Sequence, residues 1–467
     1  MGCTRQLLFT IFAAAIGSAF QHGYHTGVMN NPQQVMTAWL SNSMEGRGQT
    51  VNELTVNSIW SVITSIYAFG GMIGAVMVGF VNHCMRVKWS LVLNNIFVFV
   101  PAVLIFVSKY TGIYELLIVA RFLLGINSGL YAGLCPMYLN EISPVAQRGA
   151  IGSVYQLIIT ISILLSQLLG YNQALGSESM WPFLLGAVVL IPSIFQCITM
   201  PFCPDSPRYL LIIAKDEEKA KKALKYLRNT DDNAAEISEM QKEAASQEAA
   251  GEVPWKALFF KKSLRKPLII SLVVMVAQQF SGINAIIVYS NEIFRNAGLN
   301  NFWAQIGTVI MGLVNVLMTI VSLILVDHLG RKTLLLIGFS GTTIFMTLLA
   351  VSIKFSESYK FMGILCIIFV LGFIVSFATG PGSVPWFLET ELFRQDARPK
   401  ATSLAVFINW FANMLVMLTF LPIKMKIDYF VFVIFIVLNI LFVLYIIFQV
   451  PETKNKSIDE ISALFAD

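Results

Sequence analysis

Twelve apolar runs of roughly membrane-spanning length punctuate the 467-residue chain and constrain it more than any motif does. They lie near 7–29, 59–81, 89–108, 113–135, 150–171 and 181–202, then near 267–292, 303–326, 333–353, 361–388, 401–423 and 428–450. A helix needs about 20 mostly apolar residues to cross the hydrocarbon core, where its backbone polar groups must be satisfied without water. Twelve such helices take roughly 250 residues. The chain is 56% hydrophobic and only 13% charged, with a mean hydropathy of +0.70. A soluble domain carries about 25% charge. This composition excludes a soluble globular enzyme, a disordered chain, a coiled coil and a nucleic-acid binder. It predicts an all-α membrane protein with twelve transmembrane helices.

The net charge of +5 is modest, so its placement matters more than its size. Arg86, Lys88, Arg148, Arg331, Lys332, Arg394, Arg398 and Lys400 fall in even-numbered loops, as does the basic central stretch. Arg47, Lys109, Lys354, Lys424 and Lys426 dilute the bias. Excess Lys and Arg mark the cytoplasmic side, so both termini are expected there. None of the six cysteines falls in an external loop, so no disulfide is implied. The central stretch alternates charge with helix formers, as in Asp216-Glu217-Glu218-Lys219, and reads as amphipathic surface helices. The expected organisation is a six-helix bundle over 1–202, linker helices over 203–266, a second bundle over 267–450 and a tail over 451–467.

The halves repeat. Glu141 is followed seven residues on by Arg148, and Glu391 by Arg398; Pro136 and Pro385 stand just upstream. Asn82 to Lys88 matches Asp327 to Lys332, and Pro204-Asp205-Ser206 echoes Pro451-Glu452-Thr453. A six-plus-six parallel repeat is the pattern of the major facilitator fold, with substrate near the midplane between the halves. Charges at membrane depth are costly. Glu141, Arg148, Glu391 and Arg398, joined by Arg86, Asp327 and Arg331, are therefore expected to pair across the inner helix ends. Such pairs hold one conformation and break in the other; static anchoring is the alternative.

Uncharged polar residues gather inside the spans: Gln156 and Gln167 in span 5, Gln278, Gln279, Ser281 and Asn284 in span 7, Asn315 in span 8, Asn409 and Asn413 in span 11. An amide both donates and accepts. That suits sugar hydroxyls and does not suit an inorganic ion or a fatty acid, although interhelical bonding uses the same residues. Gly282 and the segment Gly380-Pro381-Gly382-Ser383-Val384-Pro385 interrupt spans 7 and 10, which is tolerated only in buried or cavity-lining backbone. Trp386 follows directly and can cover the apolar face of a pyranose; Phe377 and Trp410 can complete an aromatic wall. With four histidines and no nucleophile elbow, metal-ligand spacing or P-loop, the chain offers no catalytic site and calls for no cofactor.

Taken together, Gln278-Gln279-Phe280-Ser281-Gly282-Ile283-Asn284-Ala285, Arg121-Phe122-Leu123-Leu124-Gly125, Pro204-Asp205-Ser206-Pro207-Arg208, Gly380-Pro381-Gly382 and Pro451-Glu452-Thr453-Lys454 resemble the facilitative hexose transporters of the sugar-porter branch. The resemblance implies alternating-access movement of a monosaccharide down its gradient. It implies sugar contacts at Gln156, Gln278, Gln279, Asn284, Asn315, Trp386 and Asn413, with Phe377 and Asn409 as further candidates. It implies an inner gate of Glu141, Arg148, Asp327, Arg331, Glu391 and Arg398, to which Arg86 is added. Departures stand out. Met85-Arg86-Val87 replaces a family Gly-Arg-Arg or Gly-Arg-Lys, while Gly330-Arg331-Lys332 is kept. Met275-Val276-Ala277 replaces the Gln-Leu-Ser of glucose-selective members, and Asn284-Ala285-Ile286 has the Asn-x-Ile form of fructose-accepting ones. His25 stands where many uniporters have Asn and proton symporters have Asp, which makes it a candidate proton-sensing group.

The reading is a monomeric uniporter of glucose or fructose in the plasma membrane, its partners the sugar and membrane lipid. A proton-coupled sugar or polyol symporter and a poorly transporting sugar sensor are the rivals.

Overall fold

The apolar runs fold as helices, and no strand occurs among the described residues. The computed structural model describes residues 4–144, 147–250, 253–356, 358–359, 361–394, 396–454, 456 and 458–465. The first half holds α1 (Arg5–Gly27), α2 (Gln33–Gly46), α3 (Glu53–Cys84), α4 (Val87–Leu93), α5 (Ile96–Thr111), α6 (Tyr114–Ile142), α7 (Arg148–Leu169), a π-helical turn at Phe183–Ala187 and α8 (Leu190–Thr199). Linker helices follow: α9 (Glu217–Arg228), α10 (Ala234–Ala250) and α11 (Trp255–Phe260). The second half holds α12 (Lys262–Phe280), α13 (Ile283–Asn296), α14 (Asn301–Leu329), α15 (Arg331–Phe355), α16 (Phe361–Thr379), α17 (Val384–Leu392), α18 (Arg398–Ile427) and α19 (Val431–Gln449), before α20 (Ile458–Ala463) in the tail. Eleven stretches are long and apolar enough to cross a membrane; the last, Arg398–Gln449, comprises two helices that part at Asp428, with φ of 48°. Twelve spans result, as the hydropathy predicts.

Span ends differ from the hydropathy runs for a local reason. α3 is 32 residues long because Asn52 caps it, its side chain accepting from the Thr55 N–H at 2.7 Å. Capping extends a helix through polar residues that hydropathy discounts. The 14-residue α2 was not expected at all; its buried Met36, Leu40 and Met44 pack on the bundle end opposite the linker. That end is called the distal face below, and the other the linker face.

Small residues set the closest helix approach. Gly70 and Gly74 of α3 lie against Gly125 and Gly129 of α6. A Cβ added at Gly125 would meet the Tyr67 carbonyl oxygen at 2.1 Å, and one at Gly70 the Phe122 oxygen at 2.2 Å. This is a reciprocal small-xxx-small interface, which allows backbone contact where lipid offers no hydrophobic driving force. Between the halves, α3 packs along α18 and α7 along α14.

The linker is tied to both halves. The buried Arg228 donates bidentately to Glu236 (2.6 and 3.0 Å) and caps the Ile142 carbonyl at the end of α6 (2.8 Å). Lys400 Nζ donates to the Val253 carbonyl at 2.8 Å. Replacing Arg228 with Ala should loosen the linker by about 1–3 kcal/mol, the cost of an unmade charged hydrogen bond. Limited proteolysis should then cut within 217–250 faster than in the parent protein.

Candidate functional site

Two broken helices face each other at mid-depth. Span 7 breaks at Ser281–Gly282, where Gly282 has φ of 91°. A side chain there would be strained, and its Cβ would lie 3.0 Å from Met346 Cε. Span 10 breaks after Thr379, and Gln278 crosses to the break: its Nε2 donates to the carbonyls of Pro381 (2.8 Å) and Gly382 (3.0 Å). Carbonyls freed at membrane depth require such donors.

Gln279 is the hub of the polar cluster. Its Nε2 donates to Gln278 Oε1 (3.2 Å) and Asn409 Oδ1 (3.0 Å), while its Oε1 accepts from Asn284 Nδ2. Asn409 Nδ2 donates to Gln278 Oε1 (2.8 Å) and to the Met275 carbonyl (3.2 Å). All four residues are buried. The structure thus brings together four of the amides chosen from sequence, bonded to one another.

The other candidates are disposed differently. Gln156, Asn315, Phe377, Trp386 and Asn413 are half-buried. The amides of Gln156, Asn315 and Asn413 make no hydrogen bond among the described residues. Asn284 and Asn413 line a central void of about 20 Å³ with Thr26, Tyr67 and Arg121, room for one or two water molecules. Phe377 stacks on Phe373 at 6.5 Å. Trp410 bridges the halves: the His22 ring stacks on it at 5.5 Å, and His22 Nδ1 lies 3.0 Å from Tyr155 Oη. Sequence reading passed over His22 and Tyr155; a polar pair on the inner faces of spans 1 and 5 was the available signal. His25 is fully buried, and neither ring nitrogen has a hydrogen-bond partner among the described residues. Its carbonyl accepts from Arg121 Nη1 at 3.2 Å, and the Arg121 guanidinium lies 4.5 Å from the Tyr67 ring centre.

The expected inner network is corrected in part. Arg331 and Glu391, both in the expected set, pair at 2.8 Å within the second half, with Thr453 Oγ1 donating to Glu391 at 2.5 Å. Arg86 pairs instead with Asp205 at 2.9 Å, within the first half. Arg398 donates to the Phe393 carbonyl at 3.1 Å, and one Glu141 carboxylate oxygen is buried without a hydrogen-bond partner among the described residues. The side chains of Arg148 and Asp327 lie outside the described residues. The physical reason is the repeat itself. Each half supplies acids of its own, Asp205 after span 6 in the first and Glu391 at the end of span 10 in the second, so each loop Arg is met locally. In the second half, Glu452 also accepts from the backbone N–H groups of Arg331, Lys332, Thr453 and Lys454 at 2.8–3.1 Å. Gly330, at φ of 89°, makes room for it. Met85 is extended, with φ of −144°, so the first half lacks this cradle.

Hydrogen bonds between the two halves cluster at the distal face among the described residues. Asn30 Nδ2 donates to the Ile287 carbonyl (2.5 Å) and Ser290 Oγ (2.7 Å), and its Oδ1 accepts from the Asn291 N–H (3.2 Å). Asn291 Nδ2 donates to Asn31 Oδ1 (3.1 Å), and Gln33 Nε2 to Glu292 Oε2 (2.6 Å). Thr64 and Tyr289 meet at 3.2 Å. The distal face is closed.

Residues 10–465 match the family described as sugar (and other) transporter. The chain belongs to that family. It is 41% identical to solute carrier family 2, facilitated glucose transporter member 3 of Ovis aries, over 465 residues covering 99% of this chain and 93% of the relative. It is 40% identical to facilitated glucose transporter member 1 of Gallus gallus, covering 99% and 94%. Among solved structures, the inward-open xylose transporter XylE from E. coli is similar with a TM-score of 0.81 at 25% identity, covering 98% of this chain and all of that one. The sugar transporter is therefore an integral membrane protein of the major facilitator fold.

Proposed function

We propose that this protein is a uniporter for glucose or fructose. The observation that carries the reading is the near-complete match to two facilitated glucose transporters, supported by an uncharged amide cluster between broken helices. Gln278, Gln279, Asn284 and Asn409 offer donors and acceptors to sugar hydroxyls, with Gln156, Asn315 and Asn413 supplying free amides. Trp386 and Phe377 are the apolar surfaces beside them. The linker face is assigned to the cytoplasm from the distribution of Lys and Arg, with both termini on that side and the plasma membrane as the site of action. A single chain provides both halves, so a monomer suffices. Arg331–Glu391 and Arg86–Asp205, with Glu141, Arg148, Asp327 and Arg398 near them, are assigned to the inner gate. In this role they stiffen each half at its inner end as the halves rock.

Counterflow in liposomes tests the reading. Labelled glucose or fructose should equilibrate at least about tenfold faster than in empty vesicles; equal rates for all common hexoses would refute it. Proton symport makes a different prediction. His25 is buried against Arg121 with no carboxylate beside it among the described residues, so the uniport reading requires that sugar uptake leave the external pH unchanged. Alkalinisation on adding sugar would overturn it.

A further inference from the structure

A polar space at the closed distal face lies off the central site. A cavity of about 200 Å³ is lined by Asn30, Asn31 and Gln33 of the first half and by Asn291, Glu292 and Arg295 of the second. At about 10–15 Å³ per water-sized occupant, it holds on the order of a dozen water-sized groups. The central void, at about 20 Å³, holds one or two.

The chemistry of its wall is specific. Glu292 is fixed by Lys424, whose Nζ donates to Oε1 at 2.5 Å; Lys424 is only 8% exposed. Gln33 Nε2 occupies one position on Oε2. A carboxylate offers about four acceptor positions, so two remain. The Gln33 Oε1 is buried with no hydrogen-bond partner among the described residues. The Arg295 side chain makes neither an ion pair nor a hydrogen bond among the described residues. The open positions on Glu292 and the donors of Arg295 therefore line one space. An anion would meet Glu292 and Glu53, and a cation would meet Arg295, each at a cost. A neutral polyol satisfies both, because every hydroxyl donates and accepts.

We infer that this cavity is an outer docking site for a monosaccharide, distinct from the central cluster, in which the sugar takes over the Gln33–Glu292 contact that fastens the halves. The inference rests on the hexose-carrier reading. It adds a consequence: sugar arriving at the distal face weakens the seam it must pass. Lys424 holds the carboxylate in place while Gln33 is exchanged for hydroxyls. Ligand-driven opening of this kind requires differential contacts in the two states, and the exchanged bond supplies them.

Site-specific labelling tests the inference. Gln34, exposed at the cavity rim, is replaced by Cys in the full-length protein. Its reaction with a maleimide is followed at that position by peptide mass spectrometry, with and without glucose or fructose. Sugar should slow labelling several-fold. Glu292→Gln should raise the sugar concentration needed for protection about tenfold, whereas Gln33→Leu, which leaves the ion pair intact and removes the bond that the sugar displaces, should lower it several-fold. Gln279→Leu in the central cluster should leave that concentration unchanged while raising the one needed for counterflow. Absent protection in a protein that carries sugar would overturn the outer site. So would protection that shifts with Gln279→Leu but with neither Gln33→Leu nor Glu292→Gln. If no hexose is carried at all, the parent reading fails, and labelling still reports separately whether sugar docks here.

Discussion

Gln279→Leu should raise the half-saturation concentration for hexose at least tenfold, or abolish uptake. The substitution keeps most of the volume but removes the hub of the amide cluster. Asn409 Oδ1 and Asn284 Nδ2 each lose a partner in a buried setting. An unsatisfied buried polar group costs about 1–3 kcal/mol, and about 1.4 kcal/mol is a factor of ten in binding. Zero-trans uptake over a range of sugar concentrations reads the effect, and a thermal-shift measurement separates lost affinity from lost fold. Trp386→Ala, by contrast, should raise half-saturation without a comparable fall in melting temperature, because Trp386 is half-buried. Unchanged kinetics in both variants would remove these residues from the sugar path.

Gly125→Val should prevent recovery of a folded protein. The first added carbon alone falls 2.1 Å from a main-chain oxygen of α3, and backbone cannot yield as a flexible side chain does. Overpacking costs about 1–3 kcal/mol where neighbours adjust; here two helices must separate, so the loss is at or beyond the top of that range. Gly79, on the same α3, has nothing within 4 Å of the equivalent position. Gly79→Ala should be neutral or slightly stabilising, since it removes a helix-interior glycine. Size-exclusion profiles of the two variants make the comparison; equal recovery would show that the close α3–α6 contact does not limit folding.

The spans and the bend points were legible because both are local properties. Hydropathy is read over about 20 residues, and Gly282 and Gly380-Pro381-Gly382 announce breaks in their own sequence. The membership of the amide cluster was also legible: Gln278, Gln279, Asn284 and Asn409 are polar where lipid-facing residues cannot be. What they bond to was not. Gln278 serves the carbonyls of the span 10 break, more than a hundred residues away. The partners of the charged residues were misjudged for the same reason. Glu391 meets Arg331, a member of the expected network, yet Arg86 meets Asp205, which lay outside it. Lys424 was counted as a charge diluting an external loop; its pairing with Glu292, 132 residues earlier, emerges only when α13 and α18 lie side by side. α2 was hidden because its apolar face is short and broken by polar residues.

The mutual bonding of the four central amides has one more consequence. A monosaccharide settling among Gln278, Gln279, Asn284 and Asn409 swaps existing bonds for new ones of similar strength, so each contact contributes only a small net difference. Cargo held by such exchanges leaves quickly, since weak complexes differ from tight ones mostly in dissociation rate. Turnover is then paced by the rearrangement of the helices and not by escape of the solute. Loose grip in the middle of the membrane thus keeps a passive carrier from being slowed by its own cargo on either side.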